Sequence, residues 1–205
     1  MKIQTTRHVV LWLVVLMLGS QTSFAQKIVT LNKLPASPEE FIKMRNKMSR
    51  SPEGGAAMFL AALLNMGKNE KLGMQCLTIA IDQSQVVSGN VYKGYKPGRS
   101  VMYHLNRLKR GGSRGNFWAY APKAYLKGAT LKNGYTPSKP YKVVTSRNKY
   151  SGKESSGRVK VFVDVAGFRP RPVTMKRNDK GIWKAHEFSS FFLDVPKATK
   201  KKDDL

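Results

Sequence analysis

Residues 56–66 read Ala-Ala-Met-Phe-Leu-Ala-Ala-Leu-Leu-Asn-Met, apolar at every position but Asn65. Ser51-Pro52-Glu53 stands just upstream: a capping residue, a proline for the first helical position and an acid for the first turn. A helix with no polar face cannot rest on a surface. It is predicted to be buried on most of its sides, so the rest of the chain has to be wrapped around it. The run falls well short of the ~20 apolar residues that a membrane span needs.

The neighbours of this helix are announced in the same way. Ser37-Pro38-Glu39-Glu40 is a complete start signal, with Ser37 as cap and Glu40 at the capping-box position. Phe41, Met44 and Met48 then share one helical face. Gly67 closes the apolar helix, and Asn69 caps a third one through Leu72, Met74, Cys76, Leu77, Ile79 and Ile81. After Asp82 the texture changes. Val86-Val87 and Val91 predict a short strand, and Ser100 opens a basic helix with Val101, Leu105 and Leu108 as its stripe, stopped by Gly111-Gly112. Beyond it the period is two, and residues 117–120, 125–129, 141–145, 158–165, 172–177 and 182–188 are predicted as strands. Asn178-Asp179-Lys180-Gly181 joins the last two as a hairpin. Helices first and antiparallel strands second make an α+β fold, with three to four N-terminal helices packed on a C-terminal antiparallel sheet.

Ahead of these elements, Lys2 and Arg7, the apolar run 9–18 and Ser23-Phe24-Ala25 have the order of a secretory signal peptide, residues 1–25, cleaved before Gln26. The expectation is a soluble exported protein, periplasmic or secreted, with no transmembrane segment after cleavage. The one cysteine, Cys76, is far from where a lipid anchor would attach and makes no internal disulfide; it reads as buried packing. Residues 26–36 are predicted to run extended, 37–195 to form one α+β domain, and 196–205, with Lys200-Lys201-Lys202, to be a disordered basic tail.

Three stretches carry a resemblance. Gly128-Ala129-Thr130 with Asn133-Gly134-Tyr135, then Arg169-Pro170-Arg171-Pro172-Val173-Thr174, then Gly181-Ile182-Trp183-Lys184 with Glu187 and Ser189-Ser190 resemble a family of exported bacterial proteins classed as a domain of unknown function. The resemblance runs over residues 37–195. It implies a single globular unit and carries no activity or catalytic residue with it. The closing hairpin with its Gly-x-Trp-Lys is also similar to the end of nuclear-transport-factor-2-like folds, whose curved sheets often enclose a pocket.

The charge is lopsided. The chain has 37 Lys and Arg against 12 Asp and Glu, a net charge of +25, which falls to +23 when Lys2 and Arg7 leave with the signal. Between Asp82 and Asp164 there are 17 Lys or Arg and a single acid, Glu154. Within that stretch Arg107, Lys109, Arg110 and Arg114 flank Gly111-Gly112 and form the tightest candidate for an anion site. Trp118 and Tyr120 beside them are candidate stacking rings. A packed core explains such rings equally well, and a solvated face explains such lysines.

The inventory for catalysis is thin. His186 and Glu187 are neighbours on a predicted strand and point to opposite faces, Ser189-Ser190 cannot fold back on His186 as a triad, and His104 lies within the basic helix. No cluster has metal-ligand spacing, and no nucleophile elbow or phosphate loop is present. No catalytic residue, metal or cofactor is assigned. The expected function is a non-catalytic exported domain that binds an anionic envelope component, such as a lipid head group or acidic polysaccharide, or another protein. Nucleic acid ranks below these for a chain that leaves the cytoplasm. The alternatives are a small-ligand binder or cryptic enzyme with a pocket between helices and sheet, and a structural domain.

Overall fold

The apolar helix lies at the centre of the fold. In the structure, a computed structural model that describes residues 26–110, 120–193 and 195–197, helix α2 (Pro52–Met66) begins at Ser51, whose hydroxyl accepts the Gly54 N–H, and all of its residues are buried. Helix α1 (Pro38–Met48) starts at Ser37, which accepts from the Glu40 N–H, while the Glu40 carboxylate accepts from the Ala36 N–H at 2.7 Å. Helix α3 (Glu70–Ala80) is capped by Asn69. These caps satisfy donors that no helix can satisfy internally. The α2–α3 contact depends on Gly73, where a Cβ would sit 2.4 Å from the Met66 amide nitrogen.

The other sides of α2 are covered by a five-stranded antiparallel sheet in the order β1 (Gln26–Leu31), β4 (Tyr141–Ser146), β5 (Arg158–Val165), β6 (Phe168–Arg177), β7 (Trp183–Glu187). Alternation decides which face meets the helix: Val159, Val161, Val163 and Val165 of β5 are all buried. The predicted turn joins β6 to β7, with Gly181 at φ +71°, and β7 has an extra partner, a single parallel bridge from Ile81 to Ala185. A separate two-stranded hairpin, β2 (Val86–Tyr92) and β3 (Tyr95–Pro97), turns through Lys93 and Gly94, both at positive φ as a tight hairpin turn requires. Helix α4 (Arg99–Arg110) follows it. The chain is thus α+β, with four α-helices among the described residues and most of the sheet C-terminal to them.

Three departures from the sequence reading have local causes. The sheet takes an N-terminal member, because residues 26–31 pair with β4 from Gln26↔Ser146 to Leu31↔Tyr141. That strand brings Lys27 to within 3.6 Å of Glu53, a carboxylate buried in the first turn of α2 that also pairs with Arg147. Residues 125–129 form no strand: Ala121–Tyr125 is a 3₁₀ turn started by Pro122, only Leu126 bridges to Val143, and Gly128 turns away at φ +84°. Helix α4 is not part of a layer on the sheet and packs against the 3₁₀ turn Ser189–Phe192.

Phe188, Phe59, Phe191 and Tyr125 fill the space between α2 and the segment that follows β7, with ring centroids 4.5–5.4 Å apart in successive pairs. The side chain of Arg171 donates to the Tyr125 hydroxyl at 2.8 Å and to the Leu193 carbonyl at 2.9 Å. The space between α2 and the segment that follows β7 is therefore packed with side chains. Cys76 is fully buried in α3, and burial pushes its thiol up to about 11. Among the described residues no helix is long and apolar enough to cross a membrane. The signal segment 1–25, most of the strand predicted at 117–120 and the tail beyond 197 lie outside the described residues.

Candidate anion-binding cleft

Helical spacing puts Ile42 and Arg45 three residues apart on one face of α1, and Thr78 and Ile79 lie near the end of α3. The β2–β3 hairpin adds Tyr92, Lys93 and Tyr95, and β7 adds Lys184, to enclose a cleft of about 360 Å³. That volume suits a small molecule. Three cations from three elements line it, and no carboxylate does.

Two of these cations are held in unusual circumstances. Arg45 uses Nε and Nη2 on the Asn46 side-chain oxygen, at 3.2 and 2.8 Å, which leaves Nη1 for another acceptor. Burial lowers its affinity for a proton. The Lys184 side chain has no hydrogen bond or ion pair to any described residue. Burial, then repulsion from Arg45, push it down to about 8 against the opposing pull of Asp82. Its cross-strand partner on β6 is Lys176, so two like charges face each other on the sheet surface. Lys93 lies over the Tyr92 ring at 5.6 Å.

Lys184 also borders a second, more polar opening of about 410 Å³, with Asp82, Ser84, Lys176 and Asp179. There Asp82, Ser84 and His186 meet: Ser84 Oγ donates to Asp82 Oδ1 at 2.7 Å and lies 3.2 Å from His186 Nδ1, which is 3.4 Å from the same Oδ1. This is not a hydrolytic arrangement. A triad places its acid and its nucleophile on different ring nitrogens, whereas both crowd Nδ1 here and the serine proton points at the carboxylate. The cluster instead ties the 3₁₀ turn Gln83–Gln85 to β7, helped by Lys176 at 3.6 Å from Asp82. Burial is the largest influence on the Asp82 carboxyl and would raise it, but Ser84, Lys176 and His186 together hold it below the usual range. Among the described residues no group of three or more His, Cys, Asp or Glu is placed to hold a metal ion.

The residues singled out from sequence are found elsewhere. Arg107 and Lys109 are exposed on α4, and Lys109 is spent on Glu70 at 2.7 and 2.9 Å. Arg110 ends α4 with only its backbone described, and Arg114 and Trp118 lie outside the described residues. Tyr120 is buried and stacked on Tyr135 at 5.8 Å, so its ring faces protein. His104 stacks on Phe192 at 5.7 Å. Glu187 is bound by Arg158 and Thr174, and Ser190 donates to the Pro172 carbonyl, so neither is hydrogen-bonded to His186. None of the cleft's three cations, Arg45, Lys93 and Lys184, was singled out from sequence as a site residue. A cation three residues from Ile42 on an amphipathic helix was the one signal available for Arg45.

The fold and cleft define an α+β domain built around a buried helix, with a cationic recess where α1, α3, a hairpin and the last strand meet. The chain belongs to the family described as Domain of unknown function (DUF6935), matched over residues 33–199. No curated protein and no solved structure matches it. The stretches that carried the resemblance have structural work to do: Asn133 ties Gly128 and Thr130 into a loop, Arg171 clamps Tyr125, and Gly181 makes the hairpin. Lys184 is the member of those stretches that reaches the cleft.

Proposed function

We propose that this chain is an exported binding domain that takes a small anionic ligand in the cleft between α1, α3, the hairpin and β7. The observation that carries the reading is the convergence of Arg45, Lys93 and Lys184 from three elements on one recess without a carboxylate in its lining. A cation left without a partner in a partly buried site holds an unfavourable charge, and an anion with hydrogen-bond acceptors relieves it. The flanking Tyr92 and Tyr95 suit a ligand with a flat or apolar body beside its charge. The order of residues 1–25 supports export, which places the ligand in the cell envelope or outside the cell. The likeness of the closing hairpin to nuclear-transport-factor-2-like folds adds only a precedent for pockets beside curved sheets.

Calorimetric titration with inorganic phosphate and with benzoate tests the site, using wild type and an Arg45→Met/Lys184→Met double variant. The expected result is small-anion binding that weakens at least tenfold in the variant. Anion binding that the double variant retains in full, or heparin retention as the only measurable interaction, would move the ligand to the exposed basic surface of α4 and overturn the cleft. For export, N-terminal sequencing of the secreted chain should begin at Gln26.

A further inference from the structure

Lys184 differs from its neighbours in being uncommitted. Lys176 leans on Asp82 at 3.6 Å, Lys93 covers the Tyr92 ring, and Lys109 pairs with Glu70, but the Lys184 amine has no partner among the described residues and opens onto the cleft. The charged groups around it come from several elements, Arg45 from α1, Lys93 from the hairpin, and Lys176 and Arg177 from β6, and of these Arg45 disfavours an ammonium, after burial itself. Asp82 pulls the other way, but that carboxylate is already shared by Ser84, Lys176 and His186, and Asp179 of the β6–β7 turn borders the same opening. A lysine amine in such a place gives up its proton more readily than an exposed one, and its neutral fraction is a nucleophile toward carbonyl carbon.

We propose that Lys184 captures a small anionic carbonyl compound as an imine, with Arg45 pairing to the ligand's carboxylate or phosphate and the amine meeting its carbonyl carbon. The proposal rests on the anion-site reading above and names its ligand class. The neutral nitrogen attacks the carbonyl carbon, forming a C–N bond as the C=O π bond breaks; one amine proton passes to the oxygen, and the C–O bond then breaks as the second amine proton joins that hydroxyl to leave as water and the C=N bond forms. One carbonyl compound and one amine give one imine and one water, with no oxidant or reductant. The depressed affinity of Lys184 for its proton supports the geometry. A group titrating near 8 is about one-tenth neutral at pH 7, against roughly 0.03% for an ordinary lysine.

The test is reductive trapping on the full chain. Pyridoxal 5′-phosphate serves as the anionic aldehyde and benzaldehyde as a neutral one, with cyanoborohydride supplying hydride to fix each imine and peptide mapping locating the label. At pH 7 Lys184 should be labelled by the phosphate aldehyde at least tenfold faster than the median of the other mapped lysines. Unfolding in urea should abolish the preference, and Arg45→Met should slow the anionic probe at least threefold more than the neutral one. Labelling of Lys184 at the median rate would overturn the imine. Phosphate binding measured in parallel separates the two ideas: ordinary labelling with Arg45-dependent phosphate binding refutes the carbonyl chemistry and leaves the anion site, whereas loss of both refutes both.

Discussion

Replacing Lys184 by methionine should stabilise the protein, in a way that depends on pH. The ordinary lysine value of 10.5 applies to the unfolded chain and about 8 to the folded one, a gap of about 2.5 pH units. At about 1.4 kcal/mol per unit, this corresponds to an upper figure of about 3.5 kcal/mol lost by the folded state while the amine is charged in both states. The folded value is the lower of the two. Below pH 8 the whole cost is present, between 8 and 10.5 the unfolded chain holds more protons and stability rises with pH, and above 10.5 the cost is gone. Methionine fills a similar volume and carries no proton, so its packing contributes an offset that does not vary with pH. Urea unfolding of wild type and Lys184→Met at pH 7, 9 and 10.5 isolates the effect; guanidinium chloride would screen Arg45 and blunt it. The variant's advantage should shrink by about 2–3 kcal/mol from pH 7 to pH 10.5. An advantage constant within about 0.5 kcal/mol over that range would mean that Lys184 is well solvated and would refute the desolvation argument.

Two further outcomes test the core. Leu60→Ala, at a position with 0% exposure in the centre of α2, should cost about 2–5 kcal/mol in urea unfolding, and a loss under about 1 kcal/mol would mean that the helix is not enclosed. Cys76 should resist an aromatic disulfide reagent at pH 8 in the native protein and react fully in urea, because burial holds its thiol near 11; rapid native reaction would contradict its placement.

How much of this was legible follows from the range of the interactions. Ser37, Ser51 and Asn69 cap through contacts three residues away, and the Asn178–Gly181 turn closes over four, so a linear reading finds them. The pairing of Gln26 with Ser146 has no local signature, and neither does the 3₁₀ turn at Ala121–Tyr125, where an aromatic-rich segment looks like a strand until Pro122 and Gly128 bend it. The cleft was hidden for the same reason. It needs α1, α3, a hairpin and β7 side by side, and Lys176 comes opposite Lys184 only in the β6–β7 register. Net charge misled in a specific way: Arg147 belongs to the basic central stretch by sequence, yet in space it neutralises Glu53, 94 residues earlier.

That last pairing bears on what the excess of cations means. Six of the nine acids among the described residues, Glu40, Glu53, Glu70, Asp82, Glu154 and Glu187, sit in ion pairs with Lys, Arg or His side chains. The few carboxylates are thus largely committed within the protein, and the remaining cations divide into two physical kinds. Exposed ones such as Arg107 keep their water and attract any polyanion weakly and without geometry, an attraction that salt screens. Arg45 and Lys184 have given up part of their water without gaining a carboxylate, so each carries a desolvation cost that folding leaves unrelieved. An anion in the cleft recovers energy at that point that it cannot recover at α4, and its binding should persist at salt concentrations that release a surface polyanion. The recess at Arg45 and Lys184 is therefore where charge can become specificity, and the density of lysines along the middle of the chain is a poor guide to it.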